Sequence, residues 1–186
     1  MQALERLSRE HRAIGGLLDR LEAEIDAFGR CAEMDVEAVA RLLAFFDERV
    51  DGQHQEEEER AFLPRLAERA SPADEELVRA ALVDHAAERR LLALARSNVE
   101  GAAFGEPTCT AVVARNARRY VLLQRRHARW EEHVLFSLAR RTLSSQDDRD
   151  IRGAIEHLDR TRGGSVLDAA RSLEEWLDQR RSLVTA

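Results

Sequence analysis

Apolar residues return every three or four positions along most of this chain, the spacing of one face of an α-helix. Leu4, Leu7, Ile14, Leu18, Leu21 and Ile25 form one such stripe, with His11 set into it, and predict a helix over 2–28. Val39, Leu42, Leu43, Phe46, Val50, Phe62 and Leu66, joined by His54, predict a second over 35–69. Pro64 lies inside it and is expected to kink or end it, because proline has no N–H to give to the ladder. Ser71-Pro72 offers a capping hydroxyl followed by a ring suited to a first turn. It opens a third helix, to about residue 99, with Leu77, Val78, Leu82, His85, Leu92 and Leu94. Gly101 and Gly105 mark 100–106 as a loop. A fourth helix over 107–142 carries Val113, Tyr120, Leu123, His127, Val134 and Leu138. The capping-rich run Ser145-Gln146-Asp147-Asp148, a short helix over 149–160, a break at Gly163-Gly164 and an amphipathic helix over 166–183 complete the chain.

Four long helices on short connections make an all-α, up-down-up-down four-helix bundle the simplest fold. The bundle is expected over residues 1–145, and 146–186 form a helical extension packed on its outside or end. Composition agrees: Ala, Leu, Arg and Glu dominate, aromatics are 5%, and strand-favouring runs are lacking. The net charge is −6, with the two signs interspersed and arginine as the sole strong base, 29 times over. No basic stripe suits nucleic acid. No apolar run approaches the ~20 residues of a membrane helix, and the amphipathic start does not read as a signal peptide. A cytoplasmic protein is expected. Cys31 and Cys109 are far apart and form no CxxC, which argues against a disulfide framework or a zinc site. Cys109 falls in a first helical turn, where the dipole can lower a thiol pKa; two inert thiols remain the plainer reading.

The chemistry lies in the stripes. Each long helix carries one histidine on its apolar face: His11, His54, His85 and His127. Two of them have a glutamate four residues on, Glu58 after His54 and Glu131 after His127, on the same helix face. Counted from the end holding the first and third connections, the four histidines lie about 14 to 20 residues deep, so at ~1.5 Å per residue their levels agree within roughly 9 Å. A carboxylate facing a core needs a cationic partner. Imidazole with carboxylate suits iron or manganese better than metals that prefer thiolate.

The segments SREHRAI around His11, HQEEEERAFLP from His54, DHAAERRLL around His85 and RRHARWEEHVLF around His127 resemble the hemerythrin-like, or HHE cation-binding, family over roughly residues 4–142. The resemblance implies two non-haem iron ions in an Fe–O–Fe centre, joined by an oxo, hydroxo or water bridge; the donors also accommodate manganese or zinc. His11, His54, His85 and His127 would be terminal ligands, and Glu58 and Glu131 bridging carboxylates. O₂, nitric oxide or peroxide would be the small ligand. Oxygen-carrying members have a further histidine where Arg89 stands here. Either Glu88 swings in as a ligand or one iron is left more open, which weakens the case for a simple O₂ carrier.

Other candidates weigh less. Glu132 is a registry alternative to Glu131. His133 points off the stripe, and His157 lies outside the bundle. Glu56, Glu57 and Glu59 read as a solvated acidic face. Tyr120 and Asp47 stand two turns before a site histidine, but packing is the plainer role for Tyr120, as for Phe62 and Trp130. The leading function is a di-iron protein that binds or senses O₂, nitric oxide or iron; the alternative is a di-iron oxidase or peroxide-decomposing enzyme. No protein partner is identified by the sequence.

Overall fold

A computed structural model describes residues 1–29 and 34–184, and among these every regular element is a helix. We label them α1 (Gln2–Gly29), α2 (36–69), α3 (Glu75–Arg96), α4 (Val99–Ala103), α5 (107–142), α6 (Ser145–Arg162) and α7 (Val166–Val184). Helices α1 and α3 each pack against both α2 and α5, which makes the four-helix bundle; α6 and α7 lie across α1 and α2. No helix among the described residues is long and apolar enough to cross a membrane.

The helix starts follow their side chains. Asp35 caps α2 by accepting from the Ala38 N–H at 3.0 Å. Ser144 and Asp147 form a reciprocal capping box, so α6 begins at Ser145 and not at the expected 149. Ser71 instead gives its hydroxyl to the Asp74 carboxylate, and α3 begins only at Glu75. Residues 99–103, expected as loop, make one short helical stretch, α4.

The interior has two apolar blocks. One gathers Leu18, Leu21, Leu42, Phe46, Leu92 and Val121, closed by Val166 and Leu177 of α7. The other gathers Leu4, Leu7, Phe62, Leu66, Leu135 and Phe136, with Ile151 and Ile155 of α6. Each fully buried leucine or phenylalanine stabilises the fold by about 1.5–3 kcal/mol. On α3 the inward row is Val78, Ala81, His85, Glu88, Leu92 and Ala95, whereas Leu82 and Leu94, expected inside, are exposed. Between the blocks runs a buried polar layer that includes Glu10, His11, His54, Glu58, His85, Glu88, His127 and Glu131. The two blocks must offset the cost of this layer.

The backbone widens beside that layer. Over 46–54 and 58–62 in α2, and 131–135 in α5, the ladder shifts to π-helical i→i+5 bonding, a rare form that concentrates at functional sites. Leu63 N–H donates to the Glu58 carbonyl, and Phe136 N–H to that of Glu131, so the two widened turns begin at matching residues. Gly52 permits the first widening: a Cβ there would stand 2.9 Å from the Asp47 carbonyl oxygen. Pro64 follows the second, and α2 runs on through it to Arg69 without ending.

Candidate metal centre

The four bundle helices bring six buried side chains to one point. Glu58, His85, His127 and Glu131 form one group whose ligand atoms lie within 4.8 Å of one another; His11, His54 and Glu58 form a second, sharing Glu58. Glu58 turns Oε1 toward Nε2 of His11 and His54, at 3.7 and 3.5 Å, and Oε2 toward Nε2 of His85 at 3.3 Å. Glu131 mirrors it, with Oε1 3.5 Å from His127 Nε2 and Oε2 3.3 Å from His11 Nε2. Each carboxylate thus gives one oxygen to each histidine pair. Across the second pair, Nε2 of His85 and Nε2 of His127 approach to 2.9 Å.

The group lacks only positive charge. His11 Nε2 and both oxygens of Glu58 and of Glu131 are buried without a hydrogen-bond partner. Such a cluster of orphaned donors and acceptors is costly. The carboxylates draw protons onto His11 and His85. Burial pulls the His11 imidazole down, but Glu131, Glu132 and Glu58 outweigh it and hold its pKa well above the usual histidine range. Burial likewise opposes His85, yet Glu58 and Glu59 lift it to about 10. His127, buried beside the charged His85, falls to about 4. Burial would raise Glu58, but the surrounding histidines hold it well below the carboxylate range, while burial and then Glu58 push Glu131 up to about 7. A cation shared by these nitrogen and oxygen donors would replace those protons, so the residues fit a metal pair.

Three of the histidines are hydrogen-bonded from behind and a more distant carboxylate faces the fourth, so that the braces form a ring around the bundle. Glu10 of α1 stands 2.9 Å from Nδ1 of His54 on α2. Glu59 of α2 stands 2.9 Å from Nδ1 of His85 on α3. Asp84 of α3 faces Nδ1 of His127 on α5 at 3.7 Å, and Glu132 of α5 returns to Nδ1 of His11 on α1 at 3.1 Å. A carboxylate only accepts, so each close contact favours the Nδ1–H tautomer and leaves Nε2 for the centre. The braces are held in turn: Glu10 by Arg6, Glu59 by Arg89, Asp84 by Arg126 and Glu132 by the Ser8 hydroxyl. Phe136 stacks on the His11 ring at 5.7 Å.

Several expectations change here. Glu59, though partly exposed, is the brace of His85, and Glu57 is fully buried beside Arg6. Glu56 is half-buried and pairs with Arg60 and Arg162. Glu88 does not swing toward the centre: Gln55 donates to it at 2.8 Å, and Gln124, with its amide turned to donate, reaches both its oxygens at 2.9 and 2.7 Å. Burial keeps its pKa well above the ordinary range. Arg89 reaches away, to Glu59 and to the Asp51 carbonyl. The Tyr120 hydroxyl donates to Asp51, and Asp47 pairs with Arg96. His133 and His157 are exposed. Glu106 accepts the Cys109 thiol proton and raises its pKa, opposite to the expected dipole effect; Cys31 lies outside the described residues. Glu10 and Asp84 escaped the sequence reading altogether. A signal existed: each of the four braces is the immediate chain neighbour of a site residue.

One open cavity reaches the centre. It occupies about 450 Å³ between α1 and α5, is lined by Ile14, Gly15, Leu18 and Ala128, and ends at His11 and Glu132.

The sequence model of the hemerythrin HHE cation binding domain matches residues 2–139, which contain all six converging side chains and all four braces. No curated protein and no solved structure matches the chain.

Proposed function

The chain belongs to the hemerythrin HHE cation binding domain family, and from that membership we propose that its buried centre holds two non-haem iron ions and binds or senses O₂, nitric oxide or iron. His11 and His54 would serve one ion and His85 and His127 the other, with Glu58 and Glu131 bridging. The observation that carries this reading is the division of both carboxylates, one oxygen to each histidine pair, with all four oxygens otherwise orphaned in the interior. Iron takes nitrogen and oxygen donors together, and the pair supplies open coordination positions to a small ligand.

With Arg89 in place of a further histidine and Glu88 held by amides, each half has two histidines that face an oxygen of each carboxylate, although only His85 and His127 draw both carboxylates into one tight group. Both ions would then keep room for an exogenous ligand, which would approach on the His11 side along the α1–α5 cavity, whose lining also includes Arg12, Gln124, Arg125 and Arg129. Such open positions also favour the second reading, an oxidase or a peroxide-decomposing enzyme, for which the chain would need an outside electron donor or peroxide as substrate. A cytoplasmic setting fits either. Glu58→Ala and Glu131→Ala are expected to abolish binding of both ions while the helical fold survives, read by metal content beside circular dichroism. Retention of two irons by either variant would overturn the bridging assignment.

A further inference from the structure

A second cavity, of about 670 Å³, lies where the start of α1 meets the end of α5 and α6. Five arginines line it, Arg6, Arg9, Arg12, Arg140 and Arg152, against two acids, Glu5 and Glu156. In a chain of net charge −6 this is a local reversal of sign. Arg6 is engaged by Glu10, Glu57 and Asp159, and Arg12 helps to hold the Glu132 carboxyl below its usual range. The others are not so engaged. Arg9 and Arg140 make no ion pair or hydrogen bond among the described residues. Arg152 Nε is buried without a hydrogen-bond partner, its nearest carboxylate oxygen, on Asp148, standing 4.0 Å away.

Charged donors gathered in a concavity where arginines outnumber carboxylates five to two call for an anion. The guanidinium fork matches phosphate oxygens two at a time, and the cavity falls within the span of small-molecule sites, about 300–1,000 Å³. Glu5 and Glu156 would repel a long polyanion but can accept from the hydroxyls or amines of a compact one. We propose that this cavity binds a small phosphorylated ligand carrying at least two phosphate charges, up to the size of a nucleotide. This goes beyond the metal reading and does not depend on it.

The test is titration calorimetry on the full chain, with and without metal, using inorganic pyrophosphate and a nucleoside triphosphate at physiological ionic strength. The variants spare Arg6 and Ser8, which hold braces of the metal centre. Saturable one-to-one binding is expected in both metal states. Arg140→Glu and Arg9→Glu should each weaken it by about tenfold or more, and Arg152→Gln by several-fold, for loss of charge-assisted bonds. Arg119→Glu, the same charge change on a remote exposed stretch of α5, should leave it unchanged. Saturation by the triphosphate but not by pyrophosphate would assign the site to a phosphate ester, and the reverse to free pyrophosphate. No saturable binding, or equal weakening by Arg119→Glu, would overturn the proposal. So would single-stranded DNA binding more tightly than either probe, since it would point to an extended surface. Binding by metal-free protein keeps the result separate from any failure of the iron assignment.

Discussion

His54 on α2 and His127 on α5 occupy corresponding places. Each stands four residues before a carboxylate shared by the two halves of the centre, and each is followed by a widened helical turn that begins at that carboxylate. Their braces differ. Nδ1 of His54 meets Glu10 at 2.9 Å, and Glu10 is fully buried and held by Arg6, which also reaches Glu57 and Asp159 of α6. Nδ1 of His127 stands 3.7 Å from Asp84, whose own partner Arg126 is largely in solvent. Glu10 therefore acts at low dielectric within a network, while Asp84 acts at a screened surface where ion pairs contribute about 0–1 kcal/mol. The extension beyond the bundle accounts for part of the contrast, because α6 supplies Asp159 to the Arg6 network. His54 is thus fixed by interior contacts, whereas His127 lacks a hydrogen bond at Nδ1.

The contrast can be broken most forcefully at Glu58 and Glu131, where either alanine variant removes a ligand from both halves at once and should erase the difference along with the metal. Next come the braces. Glu10→Gln should weaken metal affinity by about 10–100-fold, the usual scale for the partner of a ligating histidine. Asp84→Asn should fall at or below about tenfold on the same scale. Competition with a chelator reads both, and equal losses would dissolve the distinction. A smaller effect is expected at the entrance to the first half. Ala128→Leu should slow azide or nitric oxide binding several-fold in stopped-flow spectroscopy while the metal load stays whole, because the cavity beside His11 narrows. An unchanged rate would mean that ligands enter elsewhere. The least effect is expected from His133→Ala, whose side chain is exposed on α5; any loss of metal there would contradict the face assigned to that helix.

Much of this was legible in the sequence, for identifiable reasons. A 3.6-residue apolar period determines helices, and four histidines set in four stripes, with two HxxxE spacings, are enough to place six side chains on inward faces. The braces were hidden because they are charged residues beside the stripe, and a pattern of apolar positions assigns such residues to solvent. Glu57, Glu59 and Glu132 were misread or undervalued on that ground. The widened turns in α2 and α5 were hidden as well, because no spacing of apolar positions marks an i→i+5 turn at Glu58 or Glu131. Leu82 and Leu94 erred in the opposite direction, since apolarity alone does not choose between adjacent positions of a broad stripe. The arginine cavity was invisible because its residues come from α1, α5 and α6, and only tertiary packing assembles them.

The central claim is the metal pair. Metal content and the ultraviolet-visible spectrum of the full chain, after anaerobic loading with ferrous iron and exposure to air, test it most directly. About two irons per chain are expected, one for each histidine pair facing Glu58 and Glu131, together with near-ultraviolet charge-transfer bands. One iron per chain, or none, would contradict it.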